Sequence, residues 1–309
     1  MITACARSLT PLLLLMLAGE AQAQFNYTTN NGTITIVEYT GSGGAMTVPA
    51  TIDGLPVTSI GDEAFAYCYS LINVTIPNSV TNLGRAVFAV CTNLASVTLG
   101  NSVTSIGNGA FYCTGLTSVA IPNSDTTIGT QAFEECRSLA SVTIGNGVTT
   151  IGDEAFWGCT RLTSVTIPDS VTNIGTAVFS GCTILTGIYF LGNAPSGGGY
   201  SSDNVSATVY YLPGTAGWGK TLGGLPTALW LVSNPLILNN GPRFGVLTNR
   251  FGFVISWATN LAVVVEACTN LAKPAWSPVG TNTLTGGSSY FSDPRWTNIP
   301  VRFYRLRSP

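Results

Sequence analysis

The sequence predicts a mainly β protein, in which a solenoid of parallel strands with a period of about 23 residues is followed by a small antiparallel β-sandwich. Three observations support this prediction. One unit recurs at fixed spacing through the middle of the chain, each unit opens with a short run of β-branched residues, and the last quarter carries short alternating runs between turn residues. Fixed-period self-similarity of this length is typical of repeat architectures, in which each unit is stable only when stacked on its neighbours.

The repeated unit is clearest in two consecutive copies, Leu139–Arg161 and Leu162–Ile184. Their common motif is L-x-x-V-x-I-P-x-S-V-x-x-I-G-x-x-A-F-x-x-C. The spacing between copies is constant except for one shorter step, which indicates a deletion between Phe111 and Cys113. Three anchors recur six times each: the glycines Gly61, Gly84, Gly107, Gly129, Gly152 and Gly175; the phenylalanines Phe65, Phe88, Phe111, Phe133, Phe156 and Phe179; and the cysteines Cys68, Cys91, Cys113, Cys136, Cys159 and Cys182.

Each unit predicts a strand, a turn and a second apolar side. The opening L-x-x-V-x-I is rich in β-branched residues, and stacked copies would form a parallel ladder with strands about 4.8 Å apart. A Pro or Gly then ends the strand. The glycine of the motif, as at Gly175, is expected to open a tight turn with positive φ. The A-F stretch before the cysteine is expected to form one helical turn, with acids such as Asp62 and Glu63 at its N-terminus.

With this motif the repeats resemble the BspA-type leucine-rich repeats of bacterial and protist surface proteins. The resemblance covers roughly residues 46–230 and extends to nearly every motif position. It implies a leucine-rich repeat solenoid, and a secreted or cell-surface protein that works in adhesion or protein recognition.

The segment from Met1 to Ala23 has the pattern of a secretory signal peptide. Arg7 supplies the positive region, and Leu12–Ala18 is an apolar core too short to span a bilayer as a helix. Ala21–Ala23 reads as a small-x-small cleavage site, so we expect cleavage after Ala23 and a secreted or cell-surface location. No later run of about 18 apolar residues occurs, so no membrane span is predicted in the mature chain.

The remaining chain divides into four segments. Residues 24–45 alternate around Asn31-Gly32, which predicts a hairpin that caps the first layer of the solenoid. Residues 46–191 hold the repeats. Residues 192–231 hold a divergent last repeat and bulky side chains, which predicts a C-terminal cap. Residues 232–309 form the C-terminal module, in which short alternating runs predict the β-sandwich.

Composition excludes several classes of chemistry. The chain has no histidine, so it cannot hold a Ser-His-Asp triad, a Cys-His pair or a histidine-ligated metal. The formal net charge of −2 gives no sign of a nucleic-acid partner. Charge is uneven, with eight acids and three bases between Leu55 and Leu191, but two acids and seven bases in residues 232–309. We predict no catalytic residue, no cofactor and no metal site.

Two positions inside the repeat invite a functional interpretation. One cysteine per copy favours a layer of buried thiols over disulfides, because stacked positions do not offer the Cβ geometry that a disulfide needs.

Asp125 stands where other copies have valine, as at Val103 and Val148. A lone carboxylate there is unfavourable unless it has a partner. A calcium or ligand site would explain it, but no second acid occupies that place in a neighbouring copy, so we interpret it as a drifted repeat.

The outward positions of the predicted strands are the candidate binding residues. They form an array of small hydroxyl side chains with little charge, which the family resemblance makes the expected protein-contact face. An exposed strand would also carry Ser and Thr without any function. The residues are Asn73, Thr75, Ser96, Thr98, Ser118, Ser141, Thr143, Ser164, Thr166 and Tyr189.

The function predicted from the sequence is non-catalytic recognition of a protein ligand at the cell surface or in the extracellular matrix, with no nucleic acid. The first alternative is a carbohydrate- or ice-binding module. Trp276, Tyr290 and Trp296, if grouped on one exposed face of the C-terminal module, would support sugar binding. The second alternative is a hydrolase that uses carboxylates.

Overall fold

The computed structural model describes residues 24–196, 203–230, 236–238, 245–247, 250–256, 262–285, 288–293, 295–296 and 302–307. The predicted signal peptide lies outside these residues. In the part of the chain that is described, strands account for the regular structure and no α-helix occurs. The strands are β1 (Phe25–Asn30), β2 (Thr33–Tyr39), β3 (Gly44–Thr47), β4 (Thr51–Ile52), β5 (Leu55–Ile60), β6 (Leu71–Thr75), β7 (Asn82–Leu83), β8 (Ser96–Thr98), β9 (Ser105–Ile106), β10 (Ser118–Ala120), β11 (Thr127–Ile128), β12 (Ser141–Thr143), β13 (Thr150–Ile151), β14 (Ser164–Ile167), β15 (Asn173–Ile174), β16 (Gly187–Phe190), β17 (Thr208–Tyr211), β18 (Thr221–Leu222), β19 (Leu225–Leu229), β20 (Leu236–Leu238), β21 (Gly245–Leu247), β22 (Arg250–Ser256), β23 (Ala262–Cys268), β24 (Ser277–Thr283), β25 (Ser288–Asp293) and β26 (Phe303–Arg307).

Each coil of the solenoid contributes a strand to two parallel ladders. The L-x-x-V-x-I strands run β3-β6-β8, then β10-β12, then β14-β16-β17-β19. Short strands from the second apolar side form one continuous ladder, β2-β5-β7-β9-β11-β13-β15. Both ladders are in register, with Ser118 opposite Ser141 and Ile128 opposite Ile151. The fold class predicted from the repeat is therefore confirmed.

The third side of each coil consists of stacked β-turns, so the predicted helical turn is wrong. The backbone N–H groups of Ala64 and Ala66 bond within the turns, to the carbonyls of Gly61 and Glu63. The N–H groups of the residues that alternate with these donate to carbonyls of the next coil. For example, the N–H of Phe65 donates to the Val87 carbonyl at 2.9 Å. This alternation needs left-handed backbone at non-glycine positions such as Glu63 (φ 58°). Hydrogen bonds between coils stabilise the left-handed residues, and a helix would forfeit them.

The acids at the start of this side have a different role from the predicted one. With no helix N-terminus to stabilise, Asp62 Oδ1 accepts the backbone N–H of Arg85 in the next coil at 2.7 Å. Asp153 accepts the N–H of Thr176 in the same way at 2.6 Å. These side chains therefore join successive coils.

The predicted positive φ at the motif glycine is wrong, since Gly175 and its counterparts in the other coils do not have positive φ. Glycine is required at this position because a side chain would not fit. A Cβ on Gly175 would lie 2.4 Å from the backbone nitrogen of Asp153, and one on Gly107 would lie 2.5 Å from the Gly84 carbonyl. Glycine therefore lets the backbones of neighbouring coils approach closely at this corner.

The residue after each L-x-x-V-x-I stretch of the regular repeats alternates between Pro and Gly, because the Gly coils have no room for a Cβ at this position. A Cβ on Gly100 would lie 2.4 Å from the carbonyl oxygen of Pro77, and one on Gly145 would lie 2.3 Å from that of Pro122. The first ladder is continuous from a Pro coil to the following Gly coil, and it breaks between β8 and β10 and between β12 and β14, where a Gly coil meets a Pro coil. Within the regular repeats, the Pro coil and the Gly coil are therefore hydrogen-bonded in pairs along this face, β6 with β8 and β10 with β12.

The core is a column of stacked phenylalanine rings. From Phe65 to Phe179, neighbouring ring centroids lie 4.9–5.7 Å apart and their planes are within 24° of parallel. The hairpin β1–β2, which turns at Asn31 and Gly32 (φ 48° and 76°), lays Phe25 and Tyr39 on the first ring of the column. Such rings bury a large apolar area and stack favourably, so the column is a major part of the core.

The residues at the third position after each phenylalanine stack in a second column, which we call the cysteine column. In one coil this position holds a threonine. Cys91, Cys136 and Cys159 are buried at the third position after their phenylalanines, but the third position after Phe111 is Thr114. Its hydroxyl lies 3.1 Å from the Cys136 sulfur. Cys113 instead takes the left-handed turn position (φ 55°) and is half-buried. The deletion therefore follows Cys113, and our assignment of Cys113 to the column is wrong.

Beyond the repeats, the described residues add strands to the parallel ladder and then form two antiparallel sheets. Trp218 stacks on Tyr211 at 4.9 Å over the last layer of the solenoid. The sheet β20-β22-β21, with β25 beside β22, and the sheet β24-β23-β26 share a core that includes Phe253, Val265 and Phe291. This is the two-sheet module that the sequence predicts.

Candidate functional site

The outward residues of the first ladder form a continuous surface, which we call the strand face. Most of the predicted binding residues are exposed on it, and Tyr189 is half-buried. The inward residues between them, such as Val74 and Val165, are in the core. The period-two alternation of the strand motif therefore separates this surface from the interior.

Most hydroxyl groups of the strand face have no hydrogen-bond partner in the described part of the protein. Ser96 Oγ donates to Asn73 Oδ1 at 2.6 Å. The exposed threonines beside the second ladder differ, because their hydroxyls donate hydrogen bonds within the protein. The hydroxyl of Thr104 donates to the Thr81 carbonyl at 3.1 Å, and that of Thr149 donates to the Thr126 carbonyl at 3.0 Å. Of the two hydroxyl arrays, the strand face is the one with groups available to a ligand.

An aromatic cluster ends the strand face at its C-terminal side. The rings of Tyr189 and Tyr210 stack at 5.0 Å with their planes 10° apart, and Trp230 lies 4.8 Å from Tyr189. Glycine at Gly187 makes room for this arrangement, since a Cβ there would lie 2.7 Å from the Tyr189 ring. Sequence reasoning identified Tyr189 alone. The register of Tyr189 with Tyr210, both of which lie at the third position of an aromatic strand, was the available signal.

Asp125 is completely buried on the inner side of the solenoid, away from the strand face. Its Oδ1 accepts the Thr127 backbone N–H at 3.1 Å, and its Oδ2 has no hydrogen-bond partner. Burial raises the pKa of Asp125 to about 6. The described residues contain no group of three or more Cys, Asp or Glu side chains placed to hold a metal ion.

The thiols of the cysteine column are free. The four buried thiols, Cys91, Cys136, Cys159 and Cys182, donate to the carbonyl of a phenylalanine in the preceding coil, as from Cys91 to Phe65 at 3.0 Å and from Cys136 to Phe111 at 3.0 Å. Burial raises the pKa of Cys91 to about 12 and that of Cys136 to about 11. The column is therefore structural, because the thiolate is the reactive form of cysteine.

The aromatic residues of the C-terminal module do not present open rings. The guanidinium of Arg305 lies 4.6 Å from the centroid of Trp276. The hydroxyl of Tyr290 lies close over Gly252, where a Cβ would be 2.1 Å from it. Trp296 is half-buried.

Among the described residues, no helix has the length and apolar character that a membrane crossing requires.

Comparison with known proteins agrees with the geometry of the repeats. The model of the BspA type leucine rich repeat region matches six copies in residues 58–186. The leucine-rich repeat protein of T. pallidum is 35% identical, with a TM-score of 0.53, over 61% of this chain and 83% of that one. A leucine-rich cell surface protein of Faecalibacterium prausnitzii is 28% identical, with a TM-score of 0.43, over 61% of this chain and 69% of that one. No protein of curated function matches. The chain belongs to the BspA-type leucine-rich repeat family.

Proposed function

We propose that this protein is secreted or held at the cell surface, where it binds a protein ligand through the strand face and carries out no catalysis. The observation that carries the proposal is the strand face itself, in which successive parallel strands present small uncharged side chains and end in three aromatic rings. Repeat proteins of this family are generally recognition modules, and their stacked units supply area for contact. The predicted signal peptide supports the location.

The aromatic cluster is the anchor in this proposal. Tyrosine and tryptophan dominate the energetics of protein interfaces, because they bury a large apolar area and also offer a polar atom. Tyr189, Tyr210 and Trp230 are held by mutual contact, so little side-chain entropy is lost when a partner covers them. The neighbouring hydroxyls of Ser164 and Thr166 would form the polar rim of the interface.

The test compares two triple variants of the purified protein. Thr98→Lys, Thr143→Lys and Thr166→Lys place three charges on the strand face. The control places the same charges on the exposed threonines Thr104, Thr126 and Thr149 of the second ladder. Candidate ligands are purified surface and matrix proteins, with binding measured by surface plasmon resonance.

We expect the strand-face variant to weaken binding at least about tenfold, because a partner must desolvate the new ammonium groups. The control should bind like the parent protein. Equal binding by both variants would show that the strand face is an inert scaffold.

Carbohydrate binding is the second candidate, and the aromatic cluster favours it, since sugar rings stack on aromatic side chains. A glycan array separates the two candidates. Binding of a glycan that is lost in Tyr189→Ala would support it, and an array without binders would leave protein recognition as the function.

A further inference from the structure

A groove crosses the side of the solenoid that is built from stacked turns, away from both ladders. Its volume is about 500 Å³. Small residues of two successive coils, Ala86, Ala89 and Gly109, line its middle. Tyr67 closes one end, and Tyr112 and Glu134 lie at the other. We call this feature the turn groove.

The aromatic ends of the turn groove are open to solvent. Tyr67 is 61% exposed and Tyr112 is 36% exposed. In the column of Tyr112, the preceding coil carries Ala89, whose methyl group covers little of the ring. The groove therefore offers ring surface to a ligand, and the face of an aromatic ring attracts cations.

The charge balance around the turn groove is negative. Glu63 is paired with Arg85 at 2.7 Å. Glu134 has no such partner among the described residues, is half-buried, and lies near Glu135 and Glu154. Burial and then these two carboxylates raise the pKa of Glu134. Burial and the Glu134 carboxylate likewise raise the pKa of Tyr112. The groove therefore combines a negative potential with an uncompensated carboxylate.

We propose that the turn groove binds an extended peptide segment of a partner protein through basic side chains, which would contact the Tyr112 ring and pair with Glu134. The groove runs from the coil of Glu63 to the coil of Gln131, a span of about 14 Å. An extended segment covers that distance in about four residues. Two or three lysine or arginine side chains at alternate positions would therefore fit along it. This site is separate from the strand face.

The experiment uses a fluorescein-labelled peptide of glycine and serine with three lysines at alternate positions. Fluorescence anisotropy reports its binding to the parent protein and to three variants. We expect Glu134→Gln to weaken binding about fivefold and Tyr112→Ala to weaken it about two- to fivefold. Tyr112→Phe keeps the ring and should bind like the parent protein.

The controls separate the groove from general attraction to an acidic surface. Glu38→Gln removes an exposed carboxylate on the N-terminal hairpin and should leave the affinity within about twofold of the parent value. The same peptide with acetylated lysines should not bind. Circular dichroism verifies that each variant is folded.

Two results would overturn the proposal. Equal affinity of the parent protein, Glu134→Gln and Tyr112→Ala would show that the groove is not the site. Tighter binding of spermine than of the peptide, lost in Glu134→Gln, would assign the groove to a small polyamine instead of a peptide.

Discussion

Replacing the buried carboxylate of Asp125 should stabilise the solenoid at neutral pH. The side chain is completely buried, its Oδ2 has no partner, and burial raises its pKa from 3.8 to about 6. A pKa raised by this amount corresponds to a penalty of about 3 kcal/mol on the folded state when the carboxyl is ionised. Valine fills the same position at Val103 and Val148, both of which are fully buried. The site therefore accepts the substitution Asp125→Val.

The expected gain is smaller than the full penalty. Valine cannot accept the hydrogen bond from the Thr127 N–H, and losing that bond costs about 1 kcal/mol. Asp125→Val should therefore be about 2 kcal/mol more stable than the parent protein at pH 7. The folded carboxyl keeps its proton to a higher pH than the unfolded one. The penalty is therefore complete above about pH 6 and disappears as the pH falls to about 4, where the variant should lose its advantage.

Urea denaturation followed by circular dichroism at pH 7 and pH 4 measures this difference. Asp125→Asn serves as a matched control, because it keeps the acceptor for Thr127 and cannot ionise. Its stability relative to the parent should show the same pH dependence, with a smaller gain at pH 7 since its amide N–H groups lack acceptors. An Asp125→Val variant that is no more stable than the parent protein at pH 7 would show that the buried carboxylate does not destabilise the fold. So would a stability difference that stays constant between the two pH values.

Three further predictions concern the coil interfaces and the core. Gly100→Ala should lower the free energy of unfolding by about 1–3 kcal/mol, because the new methyl would meet the Pro77 carbonyl at 2.4 Å; Gly219→Ala, with 3.4 Å of space, should change it little in the same urea titration. Phe133→Ala should cost about 3–5 kcal/mol by opening a gap in the ring column, and a loss below about 1 kcal/mol would contradict the packing described. Alkylation of the native protein at pH 8, mapped by mass spectrometry, should label the half-buried Cys113 before Cys136; equal rates would show that the column is open.

Much of the fold follows from patterns that lie within one copy of the repeat. The alternation around Val74 separates a strand face from a core, and Asn31-Gly32 between alternating runs specifies a hairpin. These features depend on neighbouring residues in the chain, so the sequence of a single unit is enough to predict them.

The stacked turns could not be predicted in this way. The sequence around Phe65 is compatible with a helical turn, and left-handed backbone at Glu63 is unfavourable in an isolated unit. It becomes stable because the N–H groups that this conformation frees bond to the carbonyls of the next coil. The interactions that select the conformation exist only after stacking, which is why local propensity predicts the wrong structure. The turn groove lies on this same side, so it was also out of reach of sequence reasoning.

The aromatic cluster and the threonine of the cysteine column show the same dependence on register. Tyr189 and Tyr210 are separated by less than one full repeat, and the chain between them departs from the motif, so their contact depends on β16 and β17 pairing in parallel. In the copy that carries the deletion, the cysteine of the motif is Cys113, which predicted that Cys113 lies in the column. The column residue, however, must stand at the third position after the phenylalanine, because only then do the turns of its coil bond with those of the neighbouring coils. Thr114 satisfies that spacing and is small enough to be buried, while Cys113 moves to the turn. Hydrogen bonding between coils therefore overrides residue identity in deciding which side chain enters the core.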